Sequence, residues 1–218
     1  RLNYHLINGT FRDFDSKVQQ LGSYGGGNHF GECEIVEIAD DPQMRSIAQT
    51  FGLKDGCVAF LSHCGSRGLG HNVAMHQFRT MQKQFADAGR PFPGYDRELV
   101  YAELGSPTAN DYLDDMSLGA NFATVNHLLI NQLVLEAFQE VLPGTTGNLV
   151  YFISHNIARE ELVDGELMWV HRKGATRAFP AGHVGLAGTK FAATGHPILL
   201  PGNPQAGSAV MVAQAGAV

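Results

Sequence analysis

The sequence predicts an α+β fold in which a mixed β-sheet forms the core and helices surround it. Short runs rich in β-branched and aromatic residues recur along the chain, and two longer stretches carry apolar residues at helical spacing. The 26 glycines exceed the usual share and indicate many turns or close backbone approaches. At 218 residues the chain can bury a substantial core, so we expect a single domain over residues 1–218.

The first half of the chain predicts two strands and a helix. Residues 34–38 and 57–61 favour short strands, and the second runs directly into a glycine-rich polar segment that begins at His63. The helix is expected within 71–88, ending at Gly89. Its apolar positions are Val73, Met75, Phe78, Met81 and Phe85.

Residues 90–109 contain several prolines and glycines and are predicted to form an internal loop. A second helical stretch is expected over 110–142, with Gly119 as a break. The later strands are predicted at 148–154, which delivers His155, and at 167–171, 197–202 and 208–212.

Charge and cysteine content limit the function classes. A formal net charge of −6 argues against a broad basic surface, so any nucleic-acid contact must be local. The three cysteines have no framework spacing, which indicates a reducing compartment and predicts a cytoplasmic protein. No apolar run approaches the roughly 20 residues that a membrane span needs, and no signal peptide is recognisable. Because neither end reads as a natural terminus, we expect a chain that lacks N-terminal and C-terminal portions.

Two glycine-rich segments carry candidate ligands for a metal ion and a phosphate. In GGGNHFGE (25–32), Asn28 can donate to phosphate oxygens, His29 can bind a metal and Glu32 can accept from a base edge. In HCGSRGLGH (63–71), His63 is a candidate metal ligand and Arg67 offers a planar fork for phosphate. We interpret Cys64, and also His71 and His76, as structural or surface residues.

The segment SHNIARE (154–160) again couples a histidine, His155, with an asparagine, Asn156, and VHRKGATRAFP (170–180) adds a basic trio. That trio, Arg172, Lys173 and Arg177, could hold polyphosphate or an RNA backbone. Local chemistry therefore predicts a site for phosphate and a borderline metal ion such as manganese, zinc or iron.

These motifs, read together, resemble the signatures of the RtcB-type RNA ligases. The resemblance spans nearly all of residues 20–210. It rests on GGGNHFGE, HCGSRGLGH, NDYLDDMSLGANFATVNHLLI, SHNIAREE, VHRKGATRAFPAG and ILLPGNPQAGSAV, in that order. It implies an enzyme that joins an RNA 2′,3′-cyclic phosphate or 3′-phosphate end to a 5′-hydroxyl end, in tRNA splicing or RNA repair. In the family, this reaction uses GTP, two manganese ions and a guanylated histidine.

The resemblance also implies a role for individual residues. His29, His63 and His155 match the metal-binding histidines, and Arg67 matches an arginine that handles RNA or phosphate. The residues that match the GTP-binding positions are Asn28, His29, Phe30, Gly31, Glu32, His155, Asn156, Pro201, Gly202, Asn203, Pro204 and Ser208.

Three departures from the family pattern limit this expectation. The DxxC-type motif that bridges the two metals has no counterpart before Gly25, and the nucleophilic histidine of the HGAGR-like motif is expected beyond residue 218. The loop PGNPQAGSAV replaces a PGSMGTASY-like run. We therefore expect the chain to be inactive by itself. The alternatives are a divergent relative with another activity on RNA 3′ ends, or an inactive module that binds nucleotide or RNA.

Overall fold

The structure, a computed structural model, describes residues 14–201 and 209–213. In chain order its elements are α1 (Phe14–Val18), β1 (Phe30–Ile35), α2 (Pro42–Phe51), β2 (Val58–His63), α3 (Arg67–Asp87), α4 (Pro107–Val141), β3 (Asn156–Val163), β4 (Glu166–Lys173), β5 (Pro197–Pro201) and β6 (Ala209–Ala213). Short 3-10 turns cover Pro93–Tyr95 and Val184–Leu186. The α+β class is therefore confirmed, and the described strands pair two by two, as β1 with β2, β3 with β4 and β5 with β6.

The described chain divides into two compact units. The first contains residues 14–30 and 62–145, and the second contains 31–61, 146–201 and 209–213. The expectation of a single domain over residues 1–218 stays a prediction. In the part of the chain that the structure describes, no helix combines the length and apolar character that a membrane span requires.

The first unit is built on the packing of α3 against α4. Leu69 and Val73 of α3 are buried, and Leu118 and Phe122 of α4 pack against them. A buried hydrogen bond from the Gln77 amide to the Asp115 carboxylate also joins the two helices. The start of α3, next to this packed region, carries residues of the candidate site.

Helix α4 runs without interruption through Gly119, so the predicted break at this glycine is wrong. A β-carbon added at Gly119 would lie 3.8 Å from the Cα of Gly70, which places the two backbones close together where the helices cross. The helix-propensity penalty of one glycine, about 1 kcal/mol, is small compared with the packing of 35 helical residues.

The second unit contains the β3–β4 hairpin. The strands are antiparallel, with Val163 opposite Glu166, and Asp164 and Gly165 both have positive φ at the two-residue turn. An Asp-Gly pair favours this kind of tight turn because both central residues must adopt left-handed backbone angles. β4 confirms the strand predicted at 167–171, whereas β3 was missed despite the Asp-Gly signal.

The strand predicted at 148–154 is wrong, because residues 147–154 have no regular secondary structure. Apolar and β-branched residues favour a half-buried position, and a segment can occupy such a position without pairing as a strand. The paired strand begins only at Asn156, so His155 precedes a strand instead of ending one. Helix α2 was not predicted, although its sequence carries the usual signals. Asp41 caps its start, a proline follows, and Gly52 ends it in the left-handed conformation.

Candidate functional site

Two of the predicted metal-binding histidines lie together in the first unit. The strand predicted at 57–61 is present but extends over Val58–His63, so His63 is the last residue of β2 and does not lie in the following loop; His29 immediately precedes β1. The centroids of their rings are 5.5 Å apart, with an interplanar angle of 76°. The ring of Phe30 lies 5.6 Å from that of His63 and forms one side of this pair.

Backbone carbonyl groups fix the orientation of both imidazoles. Nδ1 of His29 lies 2.8 Å from the carbonyl oxygen of Tyr24, and Nδ1 of His63 lies 2.9 Å from that of Asn28. A carbonyl oxygen can only accept, so each Nδ1 must carry a proton, and in the neutral imidazole the lone pair then lies on Nε2. This is the state in which an imidazole binds a metal ion through Nε2.

The donor chemistry of these two histidines therefore fits a borderline divalent ion such as manganese. Among residues 14–201 and 209–213, however, no group of three or more His, Cys, Asp or Glu side chains stands ready to hold an ion. A complete coordination shell needs further ligands.

Arg67 lies beside the histidine pair. It begins α3 with a φ of 52°, a left-handed conformation that is uncommon for residues with a side chain. Its Nη1 donates to the carbonyl of Tyr24, the same oxygen that accepts from His29. Within the described residues, its buried Nε has no hydrogen-bond partner. Backbone strain of this kind is common at binding sites, and an unused guanidinium donor is one that a phosphate oxygen can accept from.

Gly25 makes this placement of Arg67 possible. A β-carbon at position 25 would lie 1.8–2.1 Å from three atoms of the guanidinium group. Gly25 also has a φ of 75°, in the same left-handed region. The first glycine of the GGG run is thus required by a close approach, whereas Gly26 and Gly27 have no atom within 4 Å of such a carbon.

Cys64 follows His63 and is buried, which confirms the structural interpretation of this cysteine. Burial raises the pKa of its thiol to about 11, although the charge of Arg67 acts in the opposite direction. A buried, protonated thiol of this kind suits a packing role. His71 and His76 are exposed, as predicted.

Helix α4 contributes two polar residues to this region that the sequence analysis missed, Asn126 and His127. Nδ1 of His127 lies 2.9 Å from the carbonyl oxygen of Ala123. Burial lowers the pKa of His127, and the imidazoles of His63 and His29 lower it further. The signals in the sequence are a polar pair inside the apolar run VNHLLI and the place of this run within one of the motifs of the family resemblance.

The remaining nucleotide-site candidates in and next to β1 differ in exposure. Asn28 and Gly31 are exposed, and Glu32 is half-buried within the strand. An exposed amide at position 28 is available to donate to a ligand oxygen.

The second unit holds His155 and Asn156 at the start of the β3–β4 hairpin. His155 is half-buried, and Oδ1 of Asn156 accepts from the backbone N–H of Gly174 at 2.8 Å. The Asn156 oxygen thus ties the open end of the hairpin, and its amide nitrogen is the atom that suits a phosphate.

One of the three basic residues of the second unit is already paired with a carboxylate. Arg172 makes a two-pronged ion pair with Glu161, with both N···O distances at 2.6 Å, and the side chains are only 16% and 5% exposed. Arg172 is therefore committed to the hairpin and unsuited to phosphate, contrary to the interpretation from sequence. Lys173 is exposed, and Arg177 lies over the ring of Phe179 at 5.3 Å from its centroid.

The later nucleotide-binding loop is only partly within the described residues. Pro201 ends β5. Gly202, Asn203, Pro204 and Ser208 lie outside the described residues, and their predicted roles stay predictions.

Comparison with known proteins agrees with the motifs. A family model described as "tRNA-splicing ligase RtcB" matches residues 9–218. A tRNA-splicing ligase RtcB of Thermococcus kodakarensis is 41% identical over 207 residues, which are 91% of this chain and 42% of that protein. Similar proteins of the same description occur in Pyrococcus abyssi (41% identity, 91% of this chain, 22% of that protein) and Aeropyrum pernix (40%, 89% and 41%). The chain thus spans between about a fifth and two fifths of the length of these curated relatives.

Proposed function

Because the chain belongs to the RtcB family, we propose that it contributes the metal- and nucleotide-binding part of a GTP-dependent RNA ligase. The proposed reaction joins an RNA end with a 2′,3′-cyclic phosphate or 3′-phosphate to an RNA end with a 5′-hydroxyl. The proposed location is the cytoplasm. Joining RNA ends is an activity that the names of the relatives also express, since each is a tRNA-splicing ligase.

One observation carries the proposal. Two imidazoles separated by 34 positions in sequence have rings 5.5 Å apart, and each is oriented through Nδ1 by a backbone carbonyl. Orienting contacts of this kind are typical of metal-binding histidines, because they fix the tautomer and aim Nε2 at the ion.

In the proposed mechanism, His29 and His63 would hold Mn²⁺ through Nε2, and His155 would be a further ligand. Bound manganese would supply the positive charge that neutralises phosphate oxygens during nucleotidyl transfer. Asn28 and Asn156 donate to the phosphates of GTP, and Glu32 accepts from the guanine edge. Phe30, Gly31 and the loop of Pro201, Gly202, Asn203, Pro204 and Ser208 complete the nucleotide pocket.

Arg67 acts on the RNA in this proposal. Its guanidinium is held against Gly25 and Tyr24, so it meets an incoming phosphate without losing much side-chain freedom. A fixed positive group stabilises charge that develops on the phosphate oxygens, because it needs no reorganisation when the reaction occurs.

The test uses the natural full-length protein with Mn²⁺, α-labelled GTP and an RNA pair bearing a 2′,3′-cyclic phosphate and a 5′-hydroxyl. We expect a covalent guanylate on histidine and a joined RNA. His63→Ala should reduce Mn²⁺ affinity at least about tenfold, whereas His76→Ala, an exposed histidine on α3, should leave it unchanged.

Folded protein that forms no guanylate and joins no RNA would sink the ligase proposal. Binding of GTP without labelling would favour an inactive nucleotide-binding module. Processing of the RNA 3′ end without joining would favour a divergent relative. Equal Mn²⁺ binding by the wild type and His63→Ala would remove His63 from the metal site.

A further inference from the structure

Asn126, in the middle of α4, is completely buried, with an exposure of 0%. A buried primary amide destabilises a fold unless its donors and acceptor are satisfied. Here the side chain makes hydrogen bonds with backbone atoms that are about 60 and 100 positions away in the sequence. This residue therefore connects distant parts of the chain.

Both the oxygen and the nitrogen of the Asn126 amide make hydrogen bonds. Its Oδ1 accepts from the backbone N–H groups of Gly22 and Ser23, at 2.7 and 3.3 Å. Its Nδ2 donates to the carbonyls of Ser23 and Gly65, at 3.1 and 3.0 Å. Two N–H groups face the oxygen and two carbonyls face the nitrogen, so the orientation of the amide is unambiguous. A longer contact of 3.5 Å joins Nδ2 to Sγ of Cys64.

Both segments that Asn126 holds lead directly into the histidine site. Ser23 precedes Tyr24, whose carbonyl accepts from His29 Nδ1 and from Arg67 Nη1. Gly65 lies two residues after His63 and two before Arg67. A β-carbon on Gly65 would be 3.6 Å from Nε2 of His29, so the Gly65 backbone itself borders that imidazole.

The Tyr24 side chain gives the same segment a second attachment, because its hydroxyl lies 3.0 Å from Oγ of Ser62. The Asn126 amide thus holds the backbone just before Tyr24, and the Tyr24 hydroxyl anchors the residue that carries the carbonyl. A carbonyl fixed in this way sets the direction of the imidazole that donates to it.

We propose that Asn126 is a positioning residue for the site: it fixes the backbone of Ser23, Tyr24 and Gly65, and thereby the tautomer and direction of the His29 imidazole. The proposal rests on the proposed function in one respect, the use of that imidazole as a metal ligand. Asn126 itself touches neither metal nor substrate, and it acts through the backbone.

The experiment compares Asn126→Asp with Asn121→Ala, an exposed asparagine on the same helix, in the natural full-length protein. Aspartate keeps the shape and the acceptor facing Gly22 and Ser23, but it removes the donors to Ser23 and Gly65. If the aspartate variant does not fold, Asn126→Ser takes its place, because serine keeps one donor and carries no charge. Folding is followed by circular dichroism.

Two readouts are measured. The nitrogen chemical shifts of the imidazoles report the tautomer of each histidine, and Mn²⁺ titration followed by electron paramagnetic resonance reports affinity. We expect the Asp variant to lose the Nδ1–H preference of His29 while the exposed His76 is unchanged, and Mn²⁺ affinity to fall about 10–100-fold. Asn121→Ala should match the wild type in both measurements.

A folded Asn126 variant with an unchanged His29 tautomer would overturn the positioning role, because a residue that only docks the helix leaves that tautomer alone. Failure of the wild type to bind Mn²⁺ would instead count against the proposed function. The tautomer measurement would still test Asn126 in that case, so the two failures are distinguishable.

Discussion

At the residue scale, the contact between Arg67 and Gly25 links backbone strain to the candidate chemistry. Arg67 adopts a left-handed φ of 52° and places its guanidinium where the β-carbon of any other residue at position 25 would lie. A left-handed backbone costs an ordinary residue about 1–2 kcal/mol. The packing of the guanidinium between Gly25 and Tyr24 offsets this cost.

The first prediction distinguishes the effect of this contact from the effect of backbone strain alone. Gly25 and Gly27 have similar φ values, 75° and 85°, but only Gly25 contacts Arg67. We expect Gly27→Ala to lower the free energy of unfolding by about 1 kcal/mol, and Gly25→Ala to lower it by at least as much, because it also disturbs Arg67. Gly25→Ala should in addition displace Arg67 and reduce RNA ligation at least about tenfold.

Gly27→Ala serves as the matched control for ligation by the full-length protein. In an Arg67→Ala background, the additional effect of Gly25→Ala should disappear. Equal ligation rates for the two glycine variants would refute the role assigned to the contact.

The second prediction concerns thiol reactivity. Cys33 and Cys57 are exposed and Cys64 is buried, with a pKa raised by burial from 9.0 to about 11. This shift alone reduces the thiolate fraction about 100-fold at neutral pH. We expect iodoacetamide to alkylate Cys33 and Cys57 first, as measured by mass spectrometry, and all three cysteines in urea. Labelling of Cys64 as fast as Cys57 in the folded protein would contradict the burial.

At the element scale, the β3–β4 hairpin is held by its turn and by one buried ion pair. Arg172 stands opposite Ile157 in the register, on the same face as Glu161, and it reaches along the strand to that carboxylate. Two hydrogen bonds of 2.6 Å satisfy both groups, which a buried ion pair needs if it is to stabilise a fold.

The third prediction follows from this pair. The Arg172 guanidinium, by hydrogen bonding, holds the pKa of the Glu161 carboxyl below its usual 4.5, despite the opposing effect of burial. A lowered pKa contributes stability that is present above about pH 4.5 and is lost as the pH falls towards the folded-state value. We expect Glu161→Gln to lower the free energy of unfolding by about 2–3 kcal/mol at pH 7, measured in urea.

The difference between the wild type and Glu161→Gln should narrow below pH 4.5, because protonation removes the same charge from the wild type. Glu160→Gln, an exposed neighbour on the same strand, is the control and should have little effect at either pH. If the difference in the free energy of unfolding between the wild type and Glu161→Gln stays constant down to pH 3, the ion pair is not the source of that difference.

At the scale of the whole molecule, the balance of charge limits how the protein could contact the proposed RNA substrate. The chain has 15 basic and 21 acidic residues, and Arg172 is committed to Glu161. A net charge of −6 favours no broad basic surface, so binding of the proposed RNA would depend on local groups, such as Arg67 in the first unit or Lys173 and Arg177 in the second.

The fourth prediction concerns salt. With about three phosphate contacts on single-stranded RNA, the logarithm of the binding constant should fall with the logarithm of salt concentration with a slope of about −2. Arg67→Gln should make the slope shallower by about 0.7. Fluorescence anisotropy of labelled RNA between low and moderate salt measures both. A slope steeper than about −5 would reveal a larger basic surface than these residues provide.

The sequence by itself determined the features that depend on near neighbours: the helical stretches of α3 and α4, the strand that delivers His63, the buried character of Cys64 and the motifs of the family. These follow from periodicity and residue type within a few positions. Where local pattern was ambiguous, at 148–154 and Gly119, the prediction was wrong.

Only the tertiary structure decided the relations between distant positions. It brought His29 beside His63, placed Arg67 on Gly25, made Asn126 the connection between two segments of the site, and committed Arg172 to Glu161. The physical reason is that a hydrogen bond or a close approach depends on the path of the whole chain. A residue's type states which bonds it can make, and the fold decides which partner it meets.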